Sequence, residues 1–169
     1  ASSEIGHVRR QPSGAQCRCG QRGCIEAYLA DYALYRDART LTNLSITNHQ
    51  QPSEEQMQDL VHRGEEGEGP VVRIFEEAGA ALADAVRVVS SVLGPNRIAV
   101  TGSSLRAFHL MKHAFEAGLR ESITPAIDPE TDILIIPGGV EMITEGMVHL
   151  ALEQVDAMVA VDPAATAVA

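Results

Sequence analysis

Four residues near the start of the chain have the side chains and the spacing to hold a metal ion: His7, Cys17, Cys19 and Cys24, in the pattern H-x9-C-x-C-x4-C. Zinc takes four nitrogen or sulfur ligands in a tetrahedron, and three thiolates with one imidazole form a common structural set. Glycines at 14, 20 and 23 let so short a segment bend back until the sulfurs converge. Three thiolates and a neutral imidazole around Zn2+ carry about one net negative charge, and Arg9, Arg10, Arg18 and Arg22 lie close in sequence to offset it. The chain has 3 cysteines, all of them here. That odd, tightly spaced number makes a poor disulfide framework and a fitting metal site in a reducing compartment. The plain alternative is three reduced cysteines and an unrelated histidine in a flexible loop.

Two carboxylates bracket this segment: Glu4 precedes His7, and Glu26 follows Cys24. Paired carboxylates accept hydrogen bonds from neighbouring hydroxyls, which suits a sugar. An imidazole with one nitrogen on a metal keeps a proton on the other and donates it to a ligand oxygen. Both acids also fit simpler roles, Glu26 as a favourable charge in the first turn of a helix and Glu4 as a solvated surface acid.

The elements that must position these residues follow from periodicity. Residues 8–24 read as a loop, rich in glycine and polar side chains. Residues 25–36 set Tyr28, Tyr32 and Tyr35 at helical spacing and predict one amphipathic helix. Residues 43–52 read as a loop. Ser53 with Gln56 predicts a capping-box start for a short helix reaching about Arg63. Pro70 opens the longest helix, which ends at Gly94-Pro95 with an apolar face of Ile74, Ala78, Ala81, Leu82, Ala85, Val89 and Val92. Residues 97–101 and 132–136 predict two buried strands. Residues 105–121 predict a helix with Phe108, Met111, Phe115 and Leu119 on one side, as core or as a dimer face, and residues 141–153 a last helix. Alternating helices and strands imply a parallel α/β layer with crossover helices.

Composition sets the outer limits. The chain has 169 residues, 45% hydrophobic and 21% charged, with a net charge of −10. That is one compact domain, or one lobe of a larger one, at roughly 100–200 residues per domain. No apolar run approaches the roughly 20 residues of a membrane-spanning helix, and no secretory leader is legible in residues 1–30, so a soluble cytoplasmic protein is expected. With 23 acidic residues against 13 basic ones, these residues are not expected to bind nucleic acid by themselves.

The signature Glu4-Ile5-Gly6-His7 followed by Cys17-Arg18-Cys19-Gly20-Gln21-Arg22-Gly23-Cys24-Ile25-Glu26 resembles that of the ROK family (repressors, open reading frames and kinases), E-x-G-H then C-x-C-G-x-x-G-C-x-E. It matches at every defining position, and the likeness continues loosely to about Leu152. The resemblance implies zinc on His7, Cys17, Cys19 and Cys24, and sugar contacts from Glu4, His7 and Glu26. It implies an α/β fold, the C-terminal lobe of an actin-like (ribonuclease-H-like) ROK domain over residues 1–155 with a zinc loop at 7–24 and a tail at 156–169. The family's phosphate-binding loop, catalytic aspartate and, in regulators, DNA-binding domain would precede Ala1, so this chain alone is not expected to be an enzyme.

Two departures from the kinase pattern point to the regulator branch, similar to the repressors that respond to N-acetylglucosamine or xylose. Gly102-Ser103-Ser104-Leu105 stands where kinases carry a glycine pair, and Glu145-Gly146-Met147 where they tend to carry Gly-Ala-Ala. The expected partners are a small sugar or sugar phosphate effector, a second copy of the chain, and DNA only through a separate domain. A fragment of an ATP-dependent sugar kinase is the alternative. His109 and His113, one helical turn apart, lack a third metal ligand in the sequence and read as surface residues. Gly138-Gly139 reads as an anion site or a strand-to-helix turn, and Glu65, Glu66 and Glu68 as a solvated loop.

Overall fold

The computed structural model describes residues 4–41, 50–121, 132–138 and 140–161. In chain order the elements are a 3-10 turn Ile5–His7, α1 (Glu26–Leu29), α2 (Asp31–Thr40), α3 (Glu54–Glu65), α4 (Gly69–Leu93), β1 (Ile98–Gly102), a 3-10 turn Ser103–Ala107, α5 (Phe108–Arg120), β2 (Ile133–Pro137) and α6 (Val140–Val161).

Most sequence punctuation appears where expected. Ser53 accepts from the Gln56 amide, while the Gln56 side chain accepts from the Ser53 amide, a complete capping box at the start of α3. Pro70 lies in the first turn of α4, and Gly94 closes it. β1 and β2 pair in parallel from Ile98↔Ile133 to Gly102↔Pro137, with α5 as the crossover.

Helix α4 is the spine. Val71, Phe75, Ala78 and Leu82 are buried along it, and Met111 and Phe115 of α5 are buried against them. The Phe108 and Phe115 rings meet edge to face at 5.5 Å. These residues therefore serve the core. The two backbones come very close at Gly79, where an added Cβ would lie 2.3 Å from the Met111 carbonyl oxygen.

Four expectations change. The single helix over 25–36 is two helices, broken at Ala30, whose ψ of 151° is extended. The strands are half-buried rather than buried: Ala99 and Thr101 face out, as do Leu134 and Ile136, because the described helices cover one sheet face. Val92, expected on the apolar face of α4, is 75% exposed where the helix runs past the core. The last helix continues beyond residue 153 to Val161, since nothing before Pro163 interrupts it. Residues 43–49 of the expected loop, Gly139, and residues 162–169 of the expected tail lie outside the described residues. Among the described residues no helix is long and apolar enough to cross a membrane.

Candidate functional site

The segment from Val8 to Ile25 folds back as an irregular hairpin. Antiparallel bridges join Arg9 to Cys24 and Gln16 to Arg22. The Gly23 carbonyl accepts from the Arg10 amide at 2.8 Å and the Gln11 amide at 3.2 Å, and the Gly23 amide donates to Ala15 at 2.8 Å. Within the fold, the Gly20 amide donates to the Cys17 carbonyl and the Cys17 amide to Gln21, which closes the tight turn carrying Cys19. Gly20 and Gly23 take left-handed φ values of 88° and 76° there.

This turn brings the four predicted ligands together. His7, Cys17, Cys19 and Cys24 each offer a donor atom within 4.8 Å of the others. Cys19 Sγ lies 3.7 Å from Cys24 Sγ, and Cys17 Sγ lies 3.7 Å from His7 Nδ1. Zinc bonds of about 2.3 Å to sulfur and 2.0–2.1 Å to nitrogen set tetrahedral neighbours about 3.5–3.8 Å apart. The donor set and its spacing fit such an ion. Cys17 and Cys24 are buried while Cys19 is exposed.

Side chains outside the turn hold it on the helices. Arg10 bonds Asp84 at 2.7 Å and pairs with Glu77, both on α4, and lies over the Tyr28 ring. Tyr28 accepts from the Ala15 amide and donates to Gln11. Buried Arg36 donates to the carbonyls of Gln16 and Ala27, tying the hairpin to α1 and α2. Tyr32 donates toward Cys17 Sγ at 3.7 Å, with the Arg18 guanidinium over its ring. The tyrosine period was legible in the sequence, but the hydroxyl contacts and the role of Arg36 were not.

The thiols are tuned unequally. Burial, reinforced by hydrogen bonds that the protonated thiol makes to its neighbours Cys19 and Cys17, pushes the Cys24 thiol up to about 12. The Gln21 backbone amide holds the Cys19 thiol below its usual value. Burial and the bond to Cys17 raise the Tyr32 hydroxyl. Burial opposes the charge on Arg10, but the Asp84 and Glu77 carboxylates outweigh it and raise its pKa.

Glu26 stands in the first turn of α1, with Oε2 3.5 Å from His7 Nδ1, and Glu4 Oε2 lies 3.9 Å from His7 Nε2. The three expected sugar-contacting residues therefore share one neighbourhood, although Glu4 is 84% exposed. Beside Glu26 opens a largely apolar cavity of about 400 Å³, bounded by Leu29, Ala30, Val86, Val100 and Ser104. Asp31, which periodicity does not single out, is buried under its rim and accepts from Ser103, Ser104 and Arg106.

The competing constellations are surface features. His109 meets Glu65 at 2.9 Å, Glu66 meets His62, and Glu68 takes both bonds of Arg63. Within the acidic loop Glu68 is thus ion-paired with Arg63, while Glu65 and Glu66 face histidines.

A half-exposed parallel strand pair on a helical layer, with a Cys3His cluster on one flank, defines an α/β domain. The ROK family model matches residues 1–134, and the chain belongs to the ROK family. It is similar to the DNA-binding transcriptional dual regulator NagC of Escherichia coli K12, 22% identical over 68% of this chain and 28% of the relative. It is similar to a kanosamine kinase of Amycolatopsis mediterranei, 30% identical over 75% of this chain and 35% of the relative. It is also similar to a glucokinase of Thermotoga maritima, 27% identical over 75% of this chain and 40% of the relative. The chain thus spans less than half the length of each of these three. Among solved structures, a ROK-family transcriptional regulator homologous to E. coli MLC aligns with TM-score 0.57 at 21% identity, covering 79% of this chain and 34% of that one. A ROK hexokinase from Thermus thermophilus aligns with TM-score 0.58 at 19% identity, covering 79% and 41%. Both likenesses concern the fold.

Proposed function

We propose that this chain is the sugar-sensing, oligomerising C-terminal portion of a cytoplasmic ROK-family transcriptional regulator. His7, Cys17, Cys19 and Cys24 hold a structural zinc, which when bound crosslinks the hairpin. Glu4 and Glu26 accept hydrogen bonds from sugar hydroxyls, and His7 donates from the ring nitrogen turned away from the sulfurs. The observation that carries this reading is the meeting of all four metal-type donors within 4.8 Å, next to Glu26 and Glu4.

The regulator branch is favoured by the turn after β1. Ser103 and Ser104 direct their hydroxyls to a buried carboxylate, which adds side-chain bulk where kinases of the family carry glycines. Sugar-driven closure against a second lobe would reorient the DNA-binding domains of a dimer. Exposed Met147, Leu150, Val155 and Met158 on α6 supply apolar surface for association. The alternative, a lobe of an ATP-dependent sugar kinase, is supported by the kanosamine kinase and glucokinase likenesses.

Operator release by the full-length protein separates these readings. Release of a bound operator fragment on adding N-acetylglucosamine, glucose or xylose is the expected result. Operator binding indifferent to every sugar, or ATP-dependent phosphorylation of a hexose, overturns it.

A further inference from the structure

We infer that Asp31 is a positioning residue that couples the Glu26 end of the site to the Ser103–Ala107 turn, so that a ligand held at one side of the cavity is felt at the other. The inference rests on the sugar-binding reading.

Asp31 is 7% exposed, and a carboxylate so deep is costly unless its oxygens are satisfied. All of its donors come from one short turn. Oδ2 accepts from Ser103 Oγ at 2.8 Å, and Oδ1 accepts from Ser104 Oγ at 3.0 Å and Arg106 Nη1 at 3.1 Å. Arg106 extends the chain of contacts through its other nitrogen to Glu54 on α3.

Capping of its own helix does not explain this arrangement. Asp31 is the first residue of α2, whose N-cap is Ala30, yet the bonds its carboxylate makes come from Ser103, Ser104 and Arg106 rather than from the amides of its own helix. The carboxylate faces away from its own helix and toward the turn.

The covalent path to the site is equally short. Only Ala30, in extended conformation, separates Asp31 from the end of α1, and α1 begins with Glu26. The cavity has Glu26, Leu29 and Ala30 on one wall and Gly102, Ser103 and Ser104 on another. Asp31 is the residue that bolts these two walls together. A sugar that draws Glu26 inward therefore acts on the Ser103–Ala107 turn through a rigid, fully bonded corner, a physical connection between two defined elements.

Backbone hydrogen exchange on the zinc-loaded full-length protein tests this, with N-acetylglucosamine, glucose and xylose as probes. The expected result is sugar-induced protection at both Glu26–Leu29 and Ser103–Ala107 in the wild type. In Asp31→Asn protection persists at Glu26–Leu29 and disappears at Ser103–Ala107, zinc content is unchanged, and Kd for the sugar rises about fivefold or more, the lower end of typical site-to-site coupling. A triple Ser103→Ala, Ser104→Ala, Arg106→Ala variant removes all three bonds without altering the carboxylate and should give the same split if Asp31→Asn fails to fold. Retained protection at both segments in these variants overturns the coupling while leaving the sugar site intact. A wild type that binds none of the three sugars removes both.

Discussion

A methyl group added at Gly23 would lie 1.5 Å from the carbonyl oxygen of Gln11. No rotamer relieves that clash, because both partners are backbone. The hairpin must open there, and three hydrogen bonds to Gly23 sit at the opening. Their loss, at about 1 kcal/mol each, adds to about 1–2 kcal/mol for a left-handed residue with a side chain. Gly23→Ala should therefore destabilise by about 4–5 kcal/mol, a large part of the roughly 5–15 kcal/mol of a folded domain. It should also displace the adjacent Cys24 and cost metal. Gly20→Ala is the internal control. Gly20 has a similar φ of 88° but nothing within 4 Å of its added Cβ, so only the left-handed penalty of about 1–2 kcal/mol applies. Denaturant unfolding in zinc-containing buffer, with elemental analysis of the same samples, measures both effects. If Gly23→Ala unfolds within 1 kcal/mol of Gly20→Ala and keeps its zinc, the steric reasoning is wrong.

Cys19→Ser should release zinc and lower the melting temperature, because the free energy of metal binding is part of folding free energy. Full zinc occupancy in that variant, by elemental analysis, would exclude the four-ligand set. Glu26→Gln should weaken sugar binding by roughly 1–3 kcal/mol, the range for disrupting a buried polar contact, as read by titration calorimetry; unchanged affinity would remove Glu26 from the sugar site. In the metal-free protein the Cys24 thiol is raised from 9.0 to about 12, so the protonated form is the one folding favours. Its contribution is complete below pH 9 and declines as pH climbs toward 12. Zinc has the opposite sign, since thiols must lose protons to bind it, and its affinity should strengthen from pH 6 to 8. Denaturation in chelator across pH 8–11 checks the first trend: stability should fall, and Cys24→Ala should flatten the fall. A competition assay with a chromogenic chelator checks the second.

The metal cluster was legible because its chemistry is local: four ligand residues within a short stretch, separated by glycines, leave few other uses. Helix ends were legible for the same reason, since Ser53, Pro70 and Gly94 act on their own neighbours. Asp31 was not, because its partners lie 72 to 75 residues away and a lone aspartate in an amphipathic pattern carries no mark of burial. Arg36 was hidden likewise, as its partners are backbone carbonyls that carry no residue identity. The break at Ala30 escaped periodicity because alanine is a good helix former, and what extends it is the tertiary anchoring of the next residue. The strands read as buried because apolar runs report hydrophobicity, not how many sheet faces are covered.

The missing side chain at Gly79 has a mechanical consequence. With the main chain of α5 seated directly on that of α4, and Gly118 close against Ala83 about one turn further along α4, the two helices form one stiff slab. Sliding either past the other would force backbone through backbone. The hairpin rests on one half of that slab through Arg10, and the turn after β1 leads straight into the other half. Hairpin and turn are therefore carried on one and the same support.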